Sequence, residues 1–488
     1  METAIFKILK ISPDQSIVCI VGTDKIPESL GLSKSEKEYA DKQFQAKEEL
    51  VFINSYYRCI YLVRLKDGDA DQNKKREQVR RSAYNLRKLI KGNNHTELVI
   101  TSDKAYKEAV LDFSEGLLLS AYSFGKYKSK EEKGPKKNNY PSKLLLSGDI
   151  SEHEISWLIN ITHAVYFTRD LINEPVNRLN SEALAKEIKN IGASAGFNVE
   201  VLNKAKIEAL KMGGLLAVNQ GSVDPPVFCI LEWKPVNALN KSPVVLVGKG
   251  IVYDTGGLNI KTGDFMAGMH GDMAGAAAVT GTLYTAAKSA VPLHIIGLIP
   301  VTDNRPGGNA FTQGDIITMH NKMTVEVKNT DAEGRLILAD AISYAAKYSP
   351  ELIIDIATLT GSAAMTFGSY AIAVMTNADR KYIDLLEQAG KEVYERIAEL
   401  PFWDEYGESL KSDVADLKNI GGGREAGAII AGKFLENFAK APLIHLDIAG
   451  TSMMKKDDYY RLKDGTGSGL RLLSTFLKKL AASYKKLK

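Results

Sequence analysis

Cysteine is scarce in this chain. Three residues, Cys19, Cys59 and Cys229, are spread over 488 positions, odd in number and without metal-binding spacing. That excludes a disulfide framework and points to a reducing compartment. Charge of either sign is also in small excess: 63 Lys and Arg stand against 59 Asp and Glu, a net +4. So small a balance argues against nucleic-acid binding as the main activity. Two basic stretches, 126–143 and the tail "KKLAASYKKLK" (478–488), read as solvated surface. No long apolar run is present. Residues 352–375 come nearest, but Asp355 and several Thr, Ser and Gly residues interrupt them. A buried strand, a loop and a second strand explain the stretch better than a membrane span. The opening "METAIFKILKISPDQ" lacks an apolar core and a small-residue cleavage site, so no signal peptide is expected. A soluble, cytoplasmic protein is expected.

What is there suits a folded enzyme of two domains. Hydrophobic content of 44% and charged content of 25% are ordinary globular values, and the length exceeds that of one typical domain. The composition shifts at "KYKSKEEKGPKKNNYPSK" (126–143), which reads as an exposed loop late in a first domain spanning 1–150. That domain holds the strand-like "SIVCIVG" and "CIYLVRL" and a helix at "REQVRRSAYNLRKLI". Trp157, Ile161, Val165 and Phe167 fall at nearly helical spacing and predict a linker helix over 151–172. From 173 to 488 strands and helices alternate: "PVVLVG", "GAAAVTGTLYTAAKSA", "LHIIGLIPV", "MTVEV", "LILADAISYAAKY", "ELIIDIA", "AIAVM" and "LIHLDI". The alternation predicts an α/β fold with a mostly parallel central sheet flanked by helices. Ligands in such folds bind at the carboxyl ends of the strands.

Carboxylates gather at those ends. "KGIVYDTGGLNIK" supplies Lys249, Asp254 and Lys261; "MAGMHGDMAGAAAV" supplies Asp272; "TVEVKNTDAEGR" supplies Asp331, Glu333 and Arg335. Each has a plain explanation when taken alone. Asp272 could cap a helix, Arg335 could pair with Glu333, Lys261 could be solvated, and Gly256–Gly257 could merely turn the chain. Taken together, four carboxylates in three strand-end loops are more acid than one site tolerates without cations. A pair of divalent ions would compensate them. Oxygen donors without His or Cys suit Zn²⁺, Mn²⁺ or Mg²⁺.

The stretches "GKGIVYDTGGLNIK", "MHGDMAGAAAV" and "NTDAEGRLILADA" closely resemble the leucyl (cytosol) aminopeptidase family. The resemblance continues through "RDLINEPVN", "LLAVNQGS", "SDVADLKNIGGGREAGAI" and "HLDIAG", so it covers nearly all of the chain after Arg169. It implies an N-terminal domain similar to macro domains and a catalytic dinuclear-metal domain. In that family pattern Asp254 and Glu333 bridge two metals, Asp331 completes the first ion's shell, and Asp272 with Lys249 completes the second. Lys261 stabilises the negative oxygen of the tetrahedral intermediate, and Arg335 holds a bicarbonate ion that shuttles the proton. Met269, Asn329, Thr358, Gly361 and Ala449 line the side-chain pocket, with Met269 suited to Leu-like or Met-like residues. Peptides with a free N-terminus are the implied substrates, and a homohexamer, a dimer of trimers, the implied assembly. Gln313 and Asn321–Lys322 depart from the family pattern away from any ligand. Thr451 and Ser452 fall at variable pocket-edge positions, and His270 is expected to be a loop residue. Cys-Gly dipeptidase activity at the same site, a non-catalytic scaffold and a DNA-binding homologue are the alternatives.

Overall fold

Alternating side chains build the N-terminal sheet. In the computed structural model, which describes residues 3–22, 26–65, 71–103, 108–129, 140–423 and 425–486, the chain forms two compact units. One comprises Met1–Tyr166 with Lys456–Leu462, the other Phe167–Lys455 with Lys463–Lys488. The first contains β1 (Ala4–Ile8), β2 (Ile17–Val21), β3 (Leu50–Asn54), β4 (Cys59–Arg64), β5 (Glu97–Ser102) and β6 (Lys143–Ser147). Its order is β1-β6-β5-β2-β4-β3, parallel except for the β3–β4 pair. Helices α1 (Lys34–Gln45), α2 (Gln72–Gly92), α3 (Ala109–Ser120) and α4 (Glu152–Asn173) follow the same chain, the unit boundary falling within α4. A parallel sheet must be covered on both faces, and the period of two does this. Val18, Ile20, Tyr61 and Val63 pack with Val79, Leu86, Phe113 and Leu117 of α2 and α3. Ile17, Cys19, Val21, Ile60 and Leu62 pack with Ala40 and Phe44 of α1. A Ser33–Glu36 capping box starts α1. Residues 130–139 of the expected basic loop lie outside the described residues.

In the second unit α5 (Ser181–Ala195), β7 (Asn198–Leu202), α6 (Lys204–Ala209), α7 (Gly213–Asn219) and β8 (Val227–Trp233) precede the core strands. β9 (Val244–Gly248), β10 (Gly250–Asp254), α8 (Ala274–Lys288), β11 (Ile295–Asn304), β12 (Ile316–Thr318), β13 (Thr324–Glu326) and α9 (Glu333–Ala345) come next. β14 (Leu352–Ala357), α10 (Gly361–Phe367), β15 (Ile372–Thr376), α11 (Arg380–Val393), β16 (Ile397–Glu399), β17 (Leu417–Lys418), α12 (Gly427–Glu436), β18 (Leu443–Asp447) and α13 (Leu470–Lys486) complete it. The central order is β16-β15-β18-β14-β9-β11-β8-β7, with β10 also on β11. The pairs at its middle, β18–β14, β14–β9 and β9–β11, are parallel, while β15–β18, β11–β8 and β8–β7 are antiparallel. The sheet is therefore mostly parallel, as its fully buried strands predict. From β9 the chain moves to β11 on one side and then to β14 on the other. That reversal opens a crevice at the carboxyl end of β9.

Three expectations need correction. "MTVEV" is not in the central sheet: β13 pairs with β12 and β17 in a separate three-stranded sheet, with Val325 and Glu326 the buried residues of β13 itself. The segment between β14 and β15 is a short helix, α10, capped by Thr360, rather than a plain loop. The basic tail ends α13, with Leu480 and Ala481 turned inward and Lys478 outward, so its composition conceals an amphipathic helix. No helix among the described residues is long and apolar enough to cross a membrane.

In the first unit α2 and α3 approach closely at Gly116, where a Cβ would stand 2.4 Å from the Arg80 carbonyl oxygen. The Arg80 guanidinium is buried there between Asp112 and Glu115, at 2.6 Å from each. Gly116→Ala should therefore push the helices apart and lower stability by about 1–3 kcal/mol. Scanning calorimetry should show the unfolding midpoint several degrees lower; an unchanged midpoint would mean the helices separate without cost.

Candidate metal centre

Strand ends deliver the charged groups. Lys249 follows β9 directly, and its main chain is held on both sides, its N–H donating to Ile356 O and its carbonyl accepting from Ala276 N. Its ammonium reaches Asp272 Oδ2 at 2.8 Å, Glu333 Oε1 at 2.9 Å and Thr358 O at 2.9 Å. Asp254 ends β10, and its Oδ1 accepts from Gly256 N at 2.8 Å and Asn304 Nδ2 at 2.9 Å. Lys261, across the 254–261 loop, sits 2.8 Å from Asp254 Oδ2 and 2.5 Å from Asp331 Oδ1. Glu333 opens α9, and Gly334 follows it because a Cβ there would lie 2.6 Å from Lys249 Cε. Asp272 does not cap α8: the N-cap is Met273, with no side-chain hydrogen bond. Its Oδ1 instead accepts from the Thr358 hydroxyl at 2.7 Å.

Carboxylate oxygens of Asp254, Asp272 and Glu333 lie within 4.8 Å of one another, and all three residues are buried. Burial raises the Asp254, Asp272 and Asp331 carboxyls above the usual carboxylate range, and neighbouring carboxylates push the same way. Burial alone would lower Lys249 and Lys261, but the surrounding acids outweigh it and hold both ammonium groups above their ordinary values. The two shifts in the Lys249–Asp272 pair thus favour opposite charge states. Too little positive charge for the acids explains both: each lysine is fully occupied, and the carboxylates remain in excess.

Glu333 Oε2 is buried without a hydrogen-bond donor, while Asp272 Oδ2 has only the Lys249 ammonium, at 2.8 Å. Unpaired buried carboxylate oxygens are costly, and converging ones are the donor set hard divalent cations take. The residues fit such ions.

Arg335, two residues into the uncapped N-terminus of α9, makes no ion pair with Glu333 among the described residues. Its Nη1 donates to Asn419 O at 2.7 Å and its Nε has no partner, while burial pushes the guanidinium down to about 10. Of the expected pocket residues, Thr358 touches the charged cluster through both its carbonyl and its hydroxyl. Asn329 Oδ1 accepts from Asp331 N at 2.8 Å, and Met269 opens the turn Met269–Gly271 that delivers Asp272. Gly361 starts α10 and Ala449 follows β18, neither in direct contact with the cluster by hydrogen bond. Thr451 and Ser452 are buried, and His270 lies half-buried in the 269–271 turn.

Sequence reasoning overlooked three buried residues that arrange these loops. Asn304 joins Asp254 to the Thr330 carbonyl, at 2.9 and 3.0 Å. Asn419 receives Lys328 N, donates to Asn329 O and accepts from Arg335. Asp447 accepts from Leu359 N, the Thr360 hydroxyl and Ala449 N. Asn304 and Asp447 end buried apolar strands, a signal that could have marked them; Asn419 sits in a polar loop that carries none.

Comparison with known proteins follows the same lines. The catalytic-domain profile of the cytosol aminopeptidase family matches residues 166–474. A probable cytosol aminopeptidase of Chlorobium luteolum is 44% identical over 384 residues, 75% of this chain and 75% of that protein. One of Geobacter sulfurreducens is 41% identical over 425 residues, 86% of this chain and 84% of that protein. Among solved structures, the bottromycin maturation enzyme BotP in complex with Mn superimposes with a TM-score of 0.84 at 25% identity. That alignment covers 96% of this chain and 100% of that chain. The chain belongs to the cytosol aminopeptidase family and is a metallo-exopeptidase, a hydrolase that removes residues from the ends of peptides.

Proposed function

We propose that this enzyme removes Leu-like or Met-like N-terminal residues from peptides, using two divalent ions held by Lys249, Asp254, Asp272, Asp331 and Glu333. The observation that carries the reading is the buried carboxylate triad flanked by two lysines, with Glu333 Oε2 left without a donor. Asp254 and Glu333, between the two lysines, are the bridging candidates. Mn²⁺ is favoured by the hard oxygen donors and by the Mn in the BotP complex, with Zn²⁺ the other candidate and Mg²⁺ a third. When bound, such ions polarise the scissile carbonyl and acidify a water for attack. To serve as a ligand, Lys249 must surrender its proton, which an adjacent dication promotes.

The chain's own residues do the rest. Lys261 remains charged between Asp254 and Asp331 and meets the developing oxyanion. Arg335 holds bicarbonate with donors that the protein leaves free, beside the uncapped amides of α9. Bound there, bicarbonate would supply a group able to take up and return a proton, with Arg335 fixing its position. Asp272 would help hold the second ion and would set the side of the site that faces the substrate's neutral α-amine. Met269, Asn329, Thr358, Gly361 and Ala449 enclose the side chain. A homohexamer acting on free-N-terminus peptides in the cytoplasm completes the reading.

Glu333→Ala and Asp254→Ala should abolish hydrolysis of leucine amide and lower the metal content measured by elemental analysis. Two ions per subunit together with near-normal turnover would refute the bridging role. Lys261→Ala should keep its metal and lose about 10²–10³-fold in kcat, the usual cost of one lost oxyanion donor. Loss of metal from that variant would place Lys261 in the binding set instead. Arg335→Ala should bind metal and substrate yet turn over about 10²–10⁴-fold more slowly, the range of general acid–base assistance. Stripping bicarbonate from the buffer should slow the wild type and leave the variant nearly unaffected. An equal bicarbonate response in both would reduce Arg335 to a structural partner of Asn419.

A further inference from the structure

Two loops that the pocket reading brings to the substrate's side chain share one anchor. Thr358–Gly361 leaves β14, and Ala449 leaves β18, its parallel neighbour, with Ala357 and Asp447 in register. Asp447 is buried, and its Oδ1 accepts from Leu359 N at 3.1 Å and from Ala449 N at 3.0 Å. Its Oδ2 accepts from the Thr360 hydroxyl at 2.7 Å, and that hydroxyl in turn accepts from Ala363 N and caps α10. One carboxylate therefore binds the start of α10 to the turn after β18. A second contact fixes the far end: Gly450 presses on α10, where a Cβ would stand 2.1 Å from Gly368 O.

Beneath Asp447 lies a second buried polar pair. One rung down the same strands, Asp355 and His445 are in register, fully buried, and joined by a 2.6 Å hydrogen bond from His445 Nδ1 to Asp355 Oδ1. Burial alone would lower the imidazole, but Asp355, with Asp447 adding to it, holds it above its usual range.

We propose that Asp447 is the specificity-determining positioning residue of the pocket, setting the separation between its Thr358–Gly361 and Ala449 walls. The inference rests on the assignment of those walls to the substrate's side chain. Asp447 touches neither substrate nor metal in this reading; it acts through the loops it holds.

The test compares kcat/KM for leucine, alanine and phenylalanine amides in Asp447→Asn and Thr360→Val, with Ala449→Val as a control that narrows the pocket directly. Asp447→Asn keeps an acceptor for both main-chain N–H groups and loses only the charge and the Oδ2 acceptor. Thr360→Val removes the hydroxyl alone, so it reports even if the first variant folds poorly. A misfit of about one methylene changes such ratios by roughly 10–200-fold. The expected result is a fall of about 10-fold or more in the leucine-to-alanine ratio, carried by KM, with metal content and kcat on the smallest substrate retained. Equal loss on all three substrates in both variants, while Ala449→Val shifts the ratio, would overturn the inference and leave the pocket reading standing. An unchanged ratio in Ala449→Val as well would overturn both.

Discussion

Excess buried negative charge is the constraint from which the rest of this unit follows. Four carboxylates converge on two ammonium groups at the carboxyl end of β9. In water such a cluster would disperse; here strand ends and helix starts forbid it. Each lysine is shared between two acids, and Glu333 Oε2 remains without a donor. The raised carboxyl groups and the raised lysines are two expressions of that shortage. Neither could be relieved by hydrogen bonds alone, since the nearby amides and hydroxyls already serve Asp254 and Asp272. Added cationic charge would balance the site, as would protonation of the raised carboxyls, so its electrostatics favour the binding of cations.

Bringing the charges so close sets demands on the backbone. Gly334 admits the Lys249 side chain under the first turn of α9. Gly275 admits β14 against α8, since a Cβ there would stand 2.1 Å from Ile356 O. The small-residue character of α8 thus has a geometric cause: it packs against β9 and β14 at the height where Lys249 emerges. Substitution at these positions would move the ligands before it disturbed the core. The surrounding apolar cluster, with Val245, Val247, Ile353 and Leu336 fully buried, provides the rigidity that holds unlike charges apart from solvent.

Much of this was legible in the sequence, for identifiable reasons. Continuous apolar runs such as "VVLV" and "LIIDIA" mark strands covered on both faces, and they became β9 and β14. Strand-end position marked Lys249 and Asp254 as members of one site, because parallel strands bring their carboxyl ends to a common edge. The three-stranded sheet of β12, β13 and β17 was not legible: its strands are two or three residues long, too short for a period to register. Helix α10 was hidden by "TLTGSAAMTFG", whose Thr and Gly residues favour turns locally, until Asp447 and Thr360 fix its first turn from a distance. Asn419 lies 84 positions from Arg335, and although it falls within the family-like stretch "SDVADLKNIGGGREAGAI", nothing local marks it as the partner of Arg335. Local pattern reports which residues can bond, and long-range registry decides with whom.

That distinction also explains why the polar residues are layered. A buried carboxylate facing the site, such as Glu333, has one oxygen on Lys249 and the other without a donor. A buried carboxylate behind the site, such as Asp447, has its oxygens filled by three protein donors. The first leaves an acceptor open within the cluster; the second ties together loops that would otherwise drift. Both are costly to bury, and the cost is offset by Lys249 for Glu333 and by two main-chain amides and a hydroxyl for Asp447. An open acceptor at Glu333 and a filled carboxylate at Asp447 thus mark two layers, the charged cluster and the loops held behind it.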